Sequence, residues 1–343
     1  MENIFNKNVI DDHLGTLVPS PDRSAGEQTD ISIPDELRAE AERSVEKGVE
    51  FYQLHEYLCG IQHFKYALEM YQNIGDCSGT ARALEGLALC EYASRNYREA
   101  IKIAQQGLSI AQQAGDRRIE RQALGTLGNA YRHLQDFETA IRYKHESLRV
   151  AQEIHDHKGI AAALNNLGMV YKAIGDHQSA ITYYKQSLDI ARELKDSPIE
   201  RQVLRNIGNA YHALGNYKKT IEFYEHLLES TREFGDQRSE MHILKNLGSA
   251  CYAIRDYGKA IQFHQRRLSL SRILHDPKNE VHALESLGVI YDVMGDRENA
   301  IHCLEQRLDV ARKVNDRNLE EKTMSRLKTL FYSIGDYASA NQY

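Results

Sequence analysis

Amide and cationic side chains recur at fixed positions around a repeated glycine, and they are the residues of this sequence with the clearest chemistry. Counted from Gly128 and its equivalents, the positions are −6, −3, −2, +1 and +4, and the four central sets contain no acid. An Asn side chain can donate to and accept from a peptide main chain, while Arg and Lys form charge-assisted bonds with carboxylates. The candidate binding residues are Asn129, Arg132, Asn165, Asn166, Lys172, Gln202, Arg205, Asn206, Asn209, His242, Lys245 and Asn246.

The alternative for these positions is that they are polar only because they face solvent. We favour binding because Asn is a poor helix former, and a merely solvated helix face rarely contains so many of them. The set therefore predicts a groove for an extended peptide.

Signatures of catalysis, cofactors and metal binding are absent from the sequence. It contains no P-loop, GxGxxG, HExxH or GxSxG motif. His155 and His157 are two residues apart at a predicted helix end, which is a poor spacing for two metal ligands on a helix. We therefore expect no enzyme activity, no cofactor and no metal site.

Composition and charge argue against several other classes. The 343 residues have a formal net charge of −6 at pH 7, which gives no general attraction to nucleic acids. No apolar run approaches the ~18 residues of a membrane-spanning helix, and the N-terminus lacks the layout of a signal peptide. The five cysteines include no CxxC pair and favour a reducing compartment. We expect a cytoplasmic protein without nucleic-acid partners or membrane insertion, and the oligomeric state stays open.

A 40-residue period organises most of the chain. Glycine recurs at this spacing from Gly128 to Gly288, an apolar residue precedes it, and aspartates recur from Asp76 to Asp316. Such a period predicts a stacked array in which each unit buries its apolar face against its neighbours. No alternating pattern typical of strands is present, so the predicted fold class is all-α.

Each period predicts two helices, A and B. Pairs such as Gly175-Asp176 end helix A with a left-handed glycine and cap helix B with Asp. A glycine in the middle of helix A costs about 1 kcal/mol relative to Ala. We therefore predict that helix B approaches helix A closely at that glycine.

The layout resembles the tetratricopeptide repeat family, and its 40-residue form with motifs such as Leu127-Gly128-Asn129-Ala130-Tyr131 is most similar to repeats of the Pins/LGN scaffold proteins. Leucines such as Leu124 replace the family's frequent tryptophan, and no Pins-type G-protein-binding motif follows. The resemblance implies a right-handed superhelical solenoid that binds peptides at helix A positions.

The predicted domains are an acidic, disordered tail at 1–34 and a solenoid at 35–343. Acids outnumber Lys and Arg six to two in the tail. Repeats begin near residues 41, 81, 121, 161, 201, 241 and 281, and a truncated eighth begins at 321.

The predicted function is a scaffold or adaptor that binds an extended, acidic peptide segment of another protein in the concave groove. The alternative is a regulatory peptide sensor, or an autoinhibited module, whose groove holds a signal peptide or the chain's own tail.

Overall fold

The computed structural model describes residues 33–343, and every regular element in that range is an α-helix. In chain order the helices are α1 (Ile33–Gln53), α2 (Tyr57–Asn73), α3 (Cys77–Ala93), α4 (Tyr97–Ala114), α5 (Arg117–His133), α6 (Phe137–Glu153), α7 (His157–Ile174), α8 (His177–Glu193), α9 (Ser197–Ala213), α10 (Tyr217–Glu233), α11 (Gln237–Ala253), α12 (Tyr257–Ile273), α13 (Pro277–Met294), α14 (Arg297–Lys313), α15 (Arg317–Ser333) and α16 (Tyr337–Ala340).

The described residues divide into two compact units, 33–203 and 204–343, and the boundary lies within α9. Odd-numbered helices are helix A of each repeat, and even-numbered helices are helix B. Within each unit, helix A packs against the helix B that follows it, as α5 does against α6 and α11 against α12. In the first unit α5 also packs against α3 and α7, so successive helices A are neighbours.

Aspartates of the 40-residue ladder begin the helices. Asp116, for example, accepts a hydrogen bond from the backbone N–H of Ile119, and Asp236 accepts one from Ser239. These bonds satisfy one of the orphan N–H groups at the helix start, which explains why the acid recurs at this position.

Residues with positive φ end many of the helices. Gly175 and Gly295 take this conformation directly after α7 and α13. Gln135 and Lys195 adopt it without being glycine, with φ of 64° and 54°. The left-handed turn between helices is therefore imposed by the repeat even where the residue type disfavours it.

The interior is built from small and aliphatic residues of the repeated register. Leu127, Leu167 and Leu247, which precede the mid-helix glycine, are fully buried, as are Ala140 and the other helix-B alanines of that register. Small residues on helix B allow it to lie close to helix A. The buried residues therefore recur with the same 40-residue period as the sequence.

The predicted all-α array of paired helices is confirmed. Helix α1 begins at Ile33, so the last two residues assigned to the tail are helical. The rest of the predicted tail lies outside the described residues. The right-handed superhelix is a property of the whole array and stays a prediction.

Candidate functional site

The predicted positions of helix A differ in accessibility between the two units. In the first unit, Asn129, Asn165 and Asn166 are only 3%, 4% and 3% exposed, and Gln202 is also buried. Arg132 and Lys172 are half-buried. The expectation of an accessible face therefore fails for these amides, because helices such as α5 are buried on every side from Ile119 to Ala130.

A polar layer lies beneath the first unit's amides. Lys144 of α6 extends under Gly128, and its Nζ donates to the carbonyl oxygen of Gly125 at 2.6 Å. The hydroxyl of Thr126 donates to a carboxylate oxygen of the fully buried Glu85 at 2.5 Å. This layer connects α3, α5 and α6 by polar contacts.

Burial sets the protonation of this layer. It raises the pKa of Glu85 to about 8, although Thr126, Arg121 and Lys144 favour the charged form. It also pulls the pKa of Lys144 well below its usual range, and the neighbouring Arg132 acts in the same direction. Burial thus favours the neutral form of both Glu85 and Lys144 in this layer.

The side-chain oxygens of Asn129 and Asn166 in the first unit are buried without a donor. Among residues 33–343, no hydrogen-bond donor reaches Oδ1 of Asn129 or Oδ1 of Asn166. A buried acceptor of this kind costs about 1–3 kcal/mol. The amides are thus part of the interior, and a peptide could reach them only if their covering side chains moved.

The second unit presents the same positions to solvent. His242 and Lys245 are exposed, Arg205, Asn209 and Asn246 are half-buried, and only Asn206 is buried. We call Arg205, Asn209, His242, Lys245 and Asn246 the second-unit surface. Partial desolvation lowers the pKa of His242; the neighbouring Arg267, Lys245 and Arg205 act in the same direction, and Asp276 opposes them.

A tyrosine of helix B connects two amides of the second-unit surface. The Tyr224 hydroxyl donates to Oδ1 of Asn209 at 2.7 Å and accepts from Nδ2 of Asn246 at 2.9 Å. The ring lies against Gly208, where an added Cβ would be 3.0 Å from a ring carbon. The mid-helix glycine therefore makes room for a large helix-B side chain, which refines the expected close approach of the two helices.

Sequence reasoning missed this helix-B position. Large side chains fill it in several repeats: Phe64, Lys144, Tyr184, Tyr224 and His264, each opposite a glycine of helix A. The signal was present, because a polar residue stands sixteen positions after Gly128, Gly168, Gly208 and Gly248. An apolar position that becomes polar in consecutive repeats indicates a contact with polar groups of helix A.

Several solved structures are similar to this chain in fold. A Signal Transduction ATPase with Numerous Domains from Pyrococcus horikoshii, which has a tetratricopeptide repeat sensor, is 18% identical with a TM-score of 0.67; the match covers 99% of this chain and 52% of that protein. This chain therefore spans about half of its length.

Two further solved structures match over most of their lengths. A Rap protein complexed with competence and sporulation factor is 17% identical with a TM-score of 0.56, covering 87% of this chain and 76% of that one. The apo quorum sensor NprR from B. thuringiensis is 13% identical with a TM-score of 0.53, covering 91% and 97%. At these identities the likeness shows the fold alone.

Two sequence-level findings complete the comparison. No curated protein matches the chain. Between residues 33 and 343, no helix combines the length and apolarity needed to cross a bilayer.

One model of the tetratricopeptide repeat matches residues 48–113, 120–193 and 200–273, and a second model of this repeat matches 283–317. These segments make up more than half of the sequence, and the helix pairs, caps and glycines described above follow their period. The chain belongs to the tetratricopeptide repeat family.

Proposed function

We propose that this chain is a protein-interaction module that binds an extended, acidic peptide segment of a partner on the second-unit surface. The observation that carries the proposal is that this surface combines accessible amides with cations at helix-A positions that contain no acid. Amides suit the main chain of a peptide, and cations suit its carboxylates.

The first unit is the weaker candidate for this role. Its corresponding amides are buried, and binding there would require covering side chains to move. A rearrangement of that kind reduces the observed affinity. We therefore assign initial peptide capture to the second unit.

The structural neighbours support a peptide ligand. One is a Rap protein in complex with competence and sporulation factor, and another is described as a quorum sensor. The resemblance of the 40-residue repeats to those of the Pins/LGN scaffold proteins remains part of the proposal. The expectation that the chain binds a partner without catalysing a reaction also remains part of it. Neither neighbour identifies the partner of this chain.

A second candidate function is a sensor or autoinhibited module. The observation that favours it is the charge of residues 1–34, where acids outnumber Lys and Arg six to two. A tethered acidic segment has an effective concentration in the millimolar range, so even weak binding to a cationic surface would compete with a partner.

The test is binding of a fluorescent octapeptide, acetyl-(Glu-Gly)4-amide, measured by fluorescence anisotropy. Lys245→Glu should weaken binding about tenfold at low salt, because it replaces attraction by repulsion. Lys218→Glu is the matched control, since Lys218 is also exposed but lies at the start of the helix-B element α10. It should change the affinity less than twofold. Equal losses in both variants, or no loss in either, would contradict the proposed surface.

A further inference from the structure

The hydroxyl of Tyr224 joins amides from two successive helices A. Asn209 belongs to α9 and Asn246 to α11, and both lie within hydrogen-bond distance of the same oxygen atom, at 2.7 and 2.9 Å. The tyrosine is 1% exposed, whereas both asparagines are half-buried. All three residues belong to the second unit. The hydroxyl is thus an interior link between two groups that reach the surface.

The number of protons on this hydroxyl limits how the amides can be oriented. A hydroxyl donates one hydrogen bond, so with two amide neighbours it donates to one and accepts from the other. Burial raises the pKa of Tyr224 to about 12, which keeps this proton in place at neutral pH. In the observed arrangement Asn209 accepts with its oxygen and keeps its NH2 to donate, whereas Asn246 uses an N–H and keeps its oxygen to accept.

We propose that Tyr224 is a positioning residue that holds Asn209 and Asn246 as a complementary donor–acceptor pair for the main chain of an extended peptide. In a paired extended chain, the N–H and C=O of one residue point to the same edge and bond one partner together. A donor and an acceptor held side by side reproduce that partner. The inference rests on the proposed function and adds how the surface recognises the main chain of its peptide ligand.

The equivalent tyrosine of the first unit makes no such link. Tyr184 lies under Gly168 as Tyr224 lies under Gly208, but Met169 replaces the asparagine at the position of Asn209. No group in the described part of the chain bonds the buried hydroxyl of Tyr184. Removing that hydroxyl keeps the ring and leaves the amide pair unchanged, so Tyr184→Phe is the matched control for Tyr224→Phe.

The first arm of the test examines the free protein. Side-chain amide signals of Asn209 and Asn246 are assigned by NMR in the full chain and compared among wild type, Tyr224→Phe and Tyr184→Phe. Tyr224→Phe should shift both pairs of signals, because it removes their shared partner, and Tyr184→Phe should shift neither. Unchanged signals in Tyr224→Phe would overturn the inference. Circular dichroism melts of both variants check that the fold is kept.

The second arm measures binding of acetyl-(Glu-Gly)4-amide and of two N-methylated versions of it. In each version every second main-chain nitrogen is methylated, so that one version blocks the N–H groups on one edge of the extended peptide and the other version blocks those on the opposite edge. Wild type should bind one methylated version up to about tenfold more weakly than the parent peptide, the usual range for a lost hydrogen bond. Tyr224→Phe should lose a similar factor for the parent and no longer distinguish the versions, whereas Tyr184→Phe should behave as wild type. Equal behaviour of wild type and Tyr224→Phe would overturn the inference alone. If wild type binds no peptide, the proposed function fails and this inference with it.

Discussion

Individual residues of the same type have different tasks in the two units, and burial decides which. Asn129 and Asn166 are inside the first unit, whereas Asn209 and Asn246 reach the surface of the second. The helix-B position opposite the glycine also has different tasks in the two units, although its side chain is buried in both: Lys144 bonds a backbone carbonyl, and Tyr224 bonds two amides. Residue identity alone therefore does not locate the binding surface.

His264 should make stability depend on pH. Burial, assisted by Arg267, lowers its pKa from 6.5 to about 4. The unfolded chain then binds the proton more readily, so this group's contribution to stability is lost as pH falls from about 6.5 to about 4. Between pH 7 and pH 5, wild type should lose about 2 kcal/mol more than His264→Phe in urea unfolding.

Phenylalanine fits the position of His264, because Phe64 occupies the equivalent position of its own repeat, packed against Gly48. His264→Phe should therefore fold. An equal loss of stability in wild type and variant between pH 7 and pH 5 would show that His264 is protonated in the folded state.

Mid-helix glycines should differ in their tolerance of alanine. At Gly168 an added Cβ would be 2.5 Å from a ring carbon of Tyr184, whereas at Gly288 the nearest atom is 3.6 Å away. Gly168→Ala should lower the free energy of unfolding by about 1–3 kcal/mol through overpacking. Gly288→Ala should raise it by up to about 1 kcal/mol through helix propensity. Chemical denaturation of both variants tests this, and a similar change in the two would contradict the packing argument.

At the scale of the element, the turns between helices impose a left-handed residue regardless of type. Gly115 lies in the turn after a helix B and Gln135 in the turn after a helix A, with φ of 69° and 64°, and both are exposed. Glycine adopts this conformation without steric cost, whereas glutamine does not. The repeat therefore contains local strain at its non-glycine turns.

Replacing Gln135 by glycine and Gly115 by alanine should change the free energy of unfolding in opposite directions. Gln135→Gly should raise the free energy of unfolding by up to about 1 kcal/mol, and Gly115→Ala should lower it by about as much. Thermal unfolding of the two variants measures this. A loss of stability in Gln135→Gly would mean that the glutamine side chain contributes more than its backbone strain costs.

The helices and their ends were predictable because their causes are local. Aspartates such as Asp116 accept a bond from three residues further on, and glycines such as Gly175 supply the left-handed turn, so a few adjacent residues suffice. The burial of Asn129 and the hydrogen bonds from Tyr224 to Asn209 and Asn246 were not predictable in this way. Both depend on side chains from another helix, and one sequence does not show how closely stacked repeats enclose each helix A.

At the scale of the whole molecule, the charge of residues 1–34 is opposite to that of the second-unit surface. Removing residues 1–32 leaves the helices complete and should tighten binding of acetyl-(Glu-Gly)4-amide at low salt. The gain should disappear near 1 M salt, where the screening length is about 3 Å. Equal affinities of the full and shortened chains at low salt would leave the tail without a role in binding.

We expect an acidic peptide to bind on the exposed helix-A positions of the second unit. The most direct measurement is photo-crosslinking of acetyl-(Glu-Gly)4-amide carrying a benzophenone, followed by mass spectrometry of the crosslinked fragments. We expect crosslinks within 204–253, which Lys245→Glu reduces and Lys218→Glu does not. Crosslinks concentrated in α5 and α7 would contradict this expectation, because they would place the peptide on the helices whose amides are buried.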